Sequence, residues 1–337
     1  MIEKNNMSII IVYNEFNALS RYSTESASEK AVEQTAQDVL SALTDLGYMS
    51  FLFPLRDNIG KFMHWLQDAK PDLIINLCEG FKGIPQLEPN VAAVYELLGI
   101  VYTGNNSKVL GICQDKYMTK TILNSYGLPT PRCLLINSTD QIAEMEFPVI
   151  VKPNNEDGSL GVGINAVIFN KEELRERVER IINNYEQPAL VEEYIAGREF
   201  NIAIYDTFEP IALPASEIDF SGMPDGTPNI CSYEAKWYED SVLFIGSPPI
   251  CPARVDHYLM EKLQQTALEA FQVLGCRDYA RVDFRVADDG TIFILEVNPN
   301  PDISRSAGYA RALAAAGIDY QDFWQNIIEK TLRRKQQ

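Results

Sequence analysis

The 337-residue sequence has only two histidines, His64 and His257, and neither lies in an HExxH motif. A GxSxG segment is also absent, which argues against a zinc protease and against a serine hydrolase of the nucleophile-elbow type. The six cysteines form no CxxC pair, and a chain of this size is not typical of a disulfide scaffold. We therefore expect most cysteines to be small buried apolar side chains.

Positive charge and long apolar runs are both scarce. The chain has 29 Lys and Arg against 47 Asp and Glu, a formal net charge of −18. Such an acidic protein is not expected to bind nucleic acid or an anionic membrane as its main task, although a local basic pocket for ATP is compatible with it. No run reaches the length of a membrane span, and the apolar run near the N-terminus is too short for a signal peptide. We expect a cytoplasmic protein.

Strands and helices alternate in the first hundred residues. The hydrophobic pattern predicts strands at 9–13, 49–53 and 72–77, a loop at 14–28, and helices at 29–46, 58–69 and 91–98. This alternation with short connections is typical of a parallel sheet covered by helices. Ligands bind at the carboxyl ends of such strands, here 14–17 and 78–83. The predicted fold class is therefore α/β for this part of the chain and α+β for the rest of it.

The remainder of the chain is less regular. The sequence predicts strands at 147–152, 164–169, 190–193 and 199–205, an extended segment at 213–220, and helices at 115–124, 171–184, 255–274, 308–316 and 320–334. Residues 221–239 form a long polar stretch with several glycines and prolines. A loop of that length inside a compact domain is usually a functional lid or disordered. The total length suggests two or three domains.

Residues 278–302, DYARVDFRVADDGTIFILEVNPNPD, read as a β-hairpin with its turn at 287–290. Alternation predicts an apolar face formed by the side chains of Val282, Phe284, Val286, Phe293, Leu295 and Val297. The opposite face would carry Arg281, Asp283, Glu296 and Asn298. Two carboxylates and an amide oxygen suit Mg²⁺, and the rigid Pro-Asn-Pro exit favours a site over an ordinary solvated strand face.

Three further features have both a functional and a plain structural interpretation. The glycine-rich loop at 153–163 contains Ser159, follows Lys152 and lacks the GxxxxGK[ST] pattern. It is either a loop that folds over phosphates or a plain hairpin loop. The pair Glu192-Glu193 is either solvated surface or part of an adenine-binding hinge. Lys236 is either a surface lysine or a phosphate clamp in the lid.

Taken together, these segments resemble the ATP-grasp ligases, and in detail the D-alanine–D-alanine ligase branch. The resemblance covers nearly the whole chain and is carried by YTGNNSKVLGICQDKYMTK at 102–120, FPVIVKPNNEDGSLGVG at 147–163, LVEEYIAGREFNIAI at 190–204, SYEAKW at 232–237 and the hairpin at 274–302. It implies an N-terminal parallel-sheet (preATP-grasp) domain at 1–110, then two α+β lobes at 111–198 and 199–337.

The resemblance also implies roles for matching residues. The residues that would contact ATP or its phosphates are Lys116, Lys152, Ser159, Glu192, Glu193, Tyr194, Ile195, Glu199 and Lys236. Asp283, Glu296 and Asn298 would bind Mg²⁺, with Mn²⁺ as an alternative. Arg281 would stabilise the tetrahedral intermediate, with Lys236 and Ser159 closing over the reacting groups. The substrates would be a small-molecule carboxylate and an amine, and a homodimer is compatible with this branch.

The amino-acid side of the branch's pattern is altered here. Asp302 stands where the branch has glycine, and Ala307-Gly308 stands where a Ser-Leu pair holds the acceptor's carboxylate. The His-Gly-x-x-Gly-Glu-Asp segment is replaced at 79–88, and the loop at 153–163 is one residue longer. Arg305 would supply a replacement contact or be solvated surface.

The sequence therefore predicts an ATP-dependent carboxylate–amine ligase that forms an amide through an acylphosphate and releases ADP and phosphate. Two alternatives stay open. One is a genuine D-alanine–D-alanine ligase of cell-wall synthesis, and the other is a nucleotide-binding protein without catalysis.

Overall fold

The computed structural model describes residue 4 and residues 7–15 and 27–334. Its helices are α1 Ala27–Asp45, α2 Ile59–Ala69, α3 Glu88–Leu97, α4 Ser107–Gln114, α5 Lys116–Ser125, α6 Lys171–Tyr185, α7 Tyr233–Trp237, α8 Val242–Ile245, α9 His257–Leu274, α10 Gly308–Ala315 and α11 Tyr320–Arg333. None of these described helices is long and apolar enough to cross a membrane.

The strands form three sheets. Their bounds are β1 Ser8–Asn14, β2 Met49–Leu55, β3 Leu73–Leu77, β4 Cys133–Ile136, β5 Val149–Pro153, β6 Val167–Ile168, β7 Ala189–Glu193, β8 Arg198–Asp206, β9 Pro210–Ala212, β10 Ser216–Ile218, β11 Pro249–Ile250, β12 Tyr279–Val286 and β13 Ile292–Asn298. The first sheet is parallel in the order β2-β1-β3, as the sequence predicts.

The other two sheets are antiparallel. The smaller one has the order β4-β7-β5-β6, and helix α6 packs on it through its buried face. The larger one has the order β11-β10-β8-β12-β13, with β9 paired to β8. The two sheets face a common cleft, because residues of β5 and of the β12–β13 hairpin line the same cavity. The β12–β13 hairpin lies at one edge of the larger sheet, where its polar face is open to that cleft.

The C-terminal helices bind the first sheet to the largest one. Phe323 and Trp324 of α11 are fully buried in one cluster with residues of β1, β3 and β8. Tyr279 at the start of β12 joins the same cluster and lies 6.0 Å from Phe323, measured between ring centroids. Burying an aromatic side chain of this size stabilises a fold by about 2 to 3 kcal/mol. The hairpin is therefore anchored at its base by apolar packing.

The predicted core face of the hairpin is wrong at Phe293 and Leu295 of its second arm, whereas Val297 is buried as predicted. The buried residues of β13 are Ile292, Ile294 and Val297, whereas Phe293 and Leu295 are only partly buried. Two features cause the difference. The loop between the strands spans residues 287–291, one residue more than predicted, which shifts the alternation by one. A β-bulge beside Asp283 then leaves Leu295 unpaired and shifts the alternation back.

Other departures are local. The predicted strand at 164–169 is a short 3-10 turn followed by the two-residue strand β6, which pairs with β5. Helices α4, α7 and α8 begin after Asn106, Ser232 and Ser241, whose side chains accept hydrogen bonds from backbone N–H groups of the first turn. These N-cap residues are the signal that the hydrophobic pattern missed. Most of the predicted loop at 14–28, residues 16–26, lies outside the described residues.

Candidate functional site

The four polar residues predicted on the hairpin do lie together. Strand pairing sets Asp283 opposite Glu296 and Arg281 opposite Asn298. The Asn298 amide donates to Asp283 Oδ2 at 3.0 Å and to Glu296 Oε1 at 3.3 Å. The guanidinium of Arg281 donates two bonds of 2.7 Å to the Asp283 carboxylate. The bulge at Leu295 makes this grouping possible, because it returns Glu296 to the face that carries Asp283.

Positive charge surrounds the Glu296 carboxylate. Its Oε2 lies 3.8 Å from Lys116 Nζ. Burial alone would raise the pKa of Glu296, but Lys116, Lys152 and Arg281 outweigh burial and hold that pKa at about 2. Glu296 is therefore a carboxylate at every physiological pH. Within the described ranges no three His, Cys, Asp or Glu side chains group as metal ligands, so the donor set here is two carboxylates and one amide. With the Asn298 amide turned over, so that its oxygen replaces the nitrogen that now donates to both carboxylates, that set fits Mg²⁺, which takes few protein oxygens and completes its shell with water and phosphate oxygens.

A second charged group lies below the cleft. Glu192 is 1% exposed and forms ion pairs with Lys120 Nζ at Oε1 and with Lys152 Nζ at Oε2, each at 2.8 Å. Burial raises the pKa of Glu192, and the two ammonium groups lower it further than burial raises it. Lys120 also donates to the carbonyl of Leu295 at 2.6 Å. Sequence reasoning assigned no site role to Lys120, although its i, i+4 spacing from Lys116 places both on one face of α5.

Lys116 is 95% buried at the start of α5. Its ammonium donates to the Glu156 carbonyl and lies 3.3 Å from Asp157 Oδ1. The pKa of Lys116 is raised, because the neighbouring carboxylates Asp157 and Glu296 exceed the lowering effect of burial. Lys116 and Lys152 both line the cleft cavity, as candidate phosphate ligands.

The glycine-rich loop and the lid contact each other. Ser159 Oγ donates to the Cys231 carbonyl at 2.9 Å, and Trp237 Nε1 donates to the Gly158 carbonyl at 2.9 Å. Ser159 itself has φ of 64°, a left-handed conformation that turns its hydroxyl toward the lid. Lys236, one residue before Trp237, lines the cavities on both sides of this contact. The predicted lid residues are thus brought to the predicted phosphate loop.

Of the residues predicted to contact adenine or ribose, Glu199 lines the cleft and those at 192–195 do not. Glu199 lines the cleft, and its Oε2 accepts from Arg285 at 2.8 Å; burial raises the pKa of Glu199, opposed by Arg285. Tyr194 packs on the small apolar cluster of Ala166, Val167 and Ile230. The side chains at 192–195 do not line either cavity within the part of the chain that the structure describes. Glu193 instead lies 3.5 Å from Arg132 at the surface, and Ile195 is partly buried.

Two cavities meet at the hairpin. The larger, of about 870 Å³, extends from the cleft between β5 and the lid to the start of α10. The smaller, of about 430 Å³, lies between the hairpin exit and the carboxyl ends of β1 and β3. Arg281, Lys236 and Asp302 line both. A cavity is therefore present beyond the carboxyl ends of β1 and β3, where the sequence predicts ligand binding.

The segment that replaces the branch's histidine motif lines the smaller cavity. Phe81 and Ile84 pair across a tight turn in which Lys82 and Gly83 both have positive φ, as a two-residue hairpin requires. Glu88, 6% exposed, accepts from the Asn300 amide at 2.9 Å, and burial raises its pKa. Arg305 is not in either cavity lining. Its guanidinium lies 4.6 Å from the centre of the Tyr320 ring.

The cleft lies between the two antiparallel sheets and is lined by two buried lysines and by the carboxylates of the hairpin, an arrangement suited to the phosphates of a nucleotide and a divalent cation. Comparison with known families agrees. The sequence model described as D-ala D-ala ligase C-terminus matches residues 122–329. The chain belongs to this family.

Relatives cover the chain almost end to end. The uncharacterized protein y4sG of Sinorhizobium fredii is 32% identical over 305 residues, which is 89% of this chain and 88% of that protein. The D-alanine–D-alanine ligase of Pelotomaculum thermopropionicum is 28% identical over 317 residues, or 90% of this chain and 93% of the relative. The predicted branch is confirmed.

Solved structures show the same fold. The D-alanine–D-alanine ligase of Bacillus anthracis complexed with ATP aligns with a TM-score of 0.73, covering 98% of this chain and 99% of that one at 23% identity. The ligase of Coxiella burnetii aligns with the same TM-score, 98% and 95% coverage, and 18% identity. The predicted ATP-grasp fold class is confirmed.

Proposed function

We propose that the protein is an ATP-dependent ligase that joins a small-molecule carboxylate to an amine and releases ADP and phosphate. One observation carries this proposal. The hairpin carboxylates, the buried lysines and the lid all face one cleft, and Lys116 Nζ lies 3.8 Å from Glu296. The family assignment supports the reaction class, since its named members include D-alanine–D-alanine ligases, and one such ligase has been solved with ATP.

The chain's own residues would act mainly by position and charge. Lys116 and Lys152, each beside a carboxylate neighbour, would bind phosphate oxygens. Arg281, held by its two bonds to Asp283, would present its remaining N–H donors to the oxyanion of the tetrahedral intermediate. The Ser159–lid and Trp237–loop contacts would exclude water from the acylphosphate. A Mg²⁺ ion on Asp283, Glu296 and Asn298 would neutralise phosphate charge when bound.

The experiment is an ADP-release screen over D- and L-amino acids, singly and in pairs, with ATP and Mg²⁺. A matched Glu296→Gln protein is the control, because it removes the metal-facing charge and keeps the side-chain size. We expect ADP only when a carboxylate donor and an amine acceptor are both present, and none above background with the variant. ATP binding without turnover on the whole panel would support the non-catalytic alternative instead.

A genuine D-alanine–D-alanine ligase is the second candidate, favoured by the names of the relatives. It predicts turnover with D-alanine as the sole amino acid. We favour other amino acids or a small peptide product, because Asp302 adds a negative charge to both cavity linings. We also propose three domains with the bounds 1–110, 111–198 and 199–337, which limited proteolysis would test. A homodimer is the last part of the proposal, and light scattering would test it.

A further inference from the structure

The larger cavity has an arm that extends past the residues proposed to bind the nucleotide. Beyond Arg281 it continues to the start of α10, where Ser306, Gly308 and Arg311 line it together with Asn201 of β8. This arm is lined by polar groups from three separate elements. It lies next to the hairpin residues at which the acyl group would form.

Arg311 presents its guanidinium to this arm. Nη1 donates to the Ser306 carbonyl, which fixes the side chain. A Cβ placed on Gly308 would lie 3.6 Å from Arg311 Nη2 and 3.9 Å from Asn201 Oδ1, so these polar atoms converge above the first residue of α10. Among the described residues, no carboxylate lies within ion-pair distance of Arg311. A fixed guanidinium without a carboxylate partner, facing a cavity, is suited to a carboxylate ligand.

Asp302 stands at the other end of the arm, where the two cavities meet. It lines both of them, as Arg281 does. Its Oδ1 accepts from the backbone N–H of Ser304 at 2.9 Å, which fixes the carboxylate and leaves Oδ2 for a ligand. Asp302 is therefore the acidic group beside the reacting centre, and Arg311 is the basic group at the end of the arm.

We propose that this chain selects its acceptor through two residues of its own, with Asp302 binding the amino group and Arg311 the carboxylate of an amino-acid acceptor. This inference rests on the proposed ligase function and names the two residues that select its acceptor. The orientation is productive once the ammonium has lost a proton to solvent, because the neutral amine then lies beside Arg281, where the acyl carbon would be. The reverse orientation would place a carboxylate against Asp302.

The test measures binding and not turnover. The full-length chain with ADP and Mg²⁺ is titrated by NMR or calorimetry with each amino acid of the D/L panel, with its carboxamide and with its deaminated acid. For the wild type we expect at least one amino acid to bind about 10- to 100-fold more tightly than both analogues, the range of one charged hydrogen bond.

The variants separate the two contacts. Arg311→Ala should abolish the preference for the amino acid over its carboxamide, and Asp302→Asn the preference over the deaminated acid. Arg311→Lys keeps the charge without the fork and should restore part of the first preference. Arg305→Ala is the matched control, since that arginine comes from the same segment but stacks on Tyr320 outside the cavity. It should leave both preferences unchanged.

Several outcomes overturn the inference. These are equal binding of every amino acid and its carboxamide to the wild type, no binding by any panel member, or equal effects of Arg305→Ala and Arg311→Ala. Failure of the ligase proposal is a distinct result, because it shows as absent ADP release while the selective binding persists. ADP release together with a carboxamide acceptor as good as the amino acid defeats only the present inference.

Discussion

Replacing Glu192 with glutamine tests the buried charge cluster under the cleft. The wild-type carboxylate is 1% exposed and has Lys120 and Lys152 each at 2.8 Å. At an effective dielectric constant near 20, each contact has a gross attraction of about 6 kcal/mol, most of which offsets desolvation. Glutamine keeps the shape but leaves two buried ammonium groups facing a neutral amide. Removing one partner of a buried ion pair costs about 3 to 5 kcal/mol.

The sign of the pH dependence follows from the lowered pKa of Glu192. A carboxyl whose pKa is lower in the folded state stabilises the protein above its ordinary pKa, and that contribution disappears as the pH falls through the folded value. The stability difference between wild type and Glu192→Gln should therefore be full at pH 7 and shrink in acid.

Urea denaturation followed by circular dichroism measures this difference. Glu193→Gln is the matched control: the same substitution one residue later, on a side chain that is 41% exposed and lies 3.5 Å from an exposed Arg132. It should cost less than about 1 kcal/mol. Equal destabilisation by the two variants, or a Glu192→Gln cost below about 1 kcal/mol, would refute the assignment of a buried ion-pair cluster.

Three further predictions concern the cleft. Glu296→Gln should abolish ADP formation while the fold survives, as checked by circular dichroism; unchanged turnover in the folded variant would reject the metal face. Hydrogen exchange in the lid at 221–239 should slow on adding an ATP analogue, and equal protection with and without it would count against a lid. Arg285→Met should raise the KM for ATP more than it lowers kcat, because Arg285 bonds both Glu199 at 2.8 Å and the lid carbonyl of Asn229 at 2.6 Å; an unchanged KM would contradict this.

Local pattern was enough to predict most of the fold, but not the position of each side chain. Alternation found the hairpin and its polar face, because Arg281 and Asp283 follow a simple period of two. It could not find the bulge at Leu295, which depends on pairing between strands and on the lysine that holds it. Capped helices such as α7 were missed, since five residues give no hydrophobic period. The sequence pattern also could not show that Arg311 lines the cavity and Arg305 does not. Both are arginines of one segment, and their positions differ only through tertiary packing.

The bulge at Leu295 connects the buried charge cluster around Glu192 to the metal face of the hairpin. Leu295 and Glu296 are adjacent, yet both line the cleft cavity, which a regular strand does not allow. The unpaired Leu295 carbonyl accepts from Lys120, and Lys120 is fixed by Glu192. Glu192 thus supports the orientation of Glu296 through one lysine and a backbone carbonyl, without touching the metal face. If so, Glu192→Gln should weaken Mg²⁺-dependent ATP binding as well as stability, whereas Glu193→Gln should change neither.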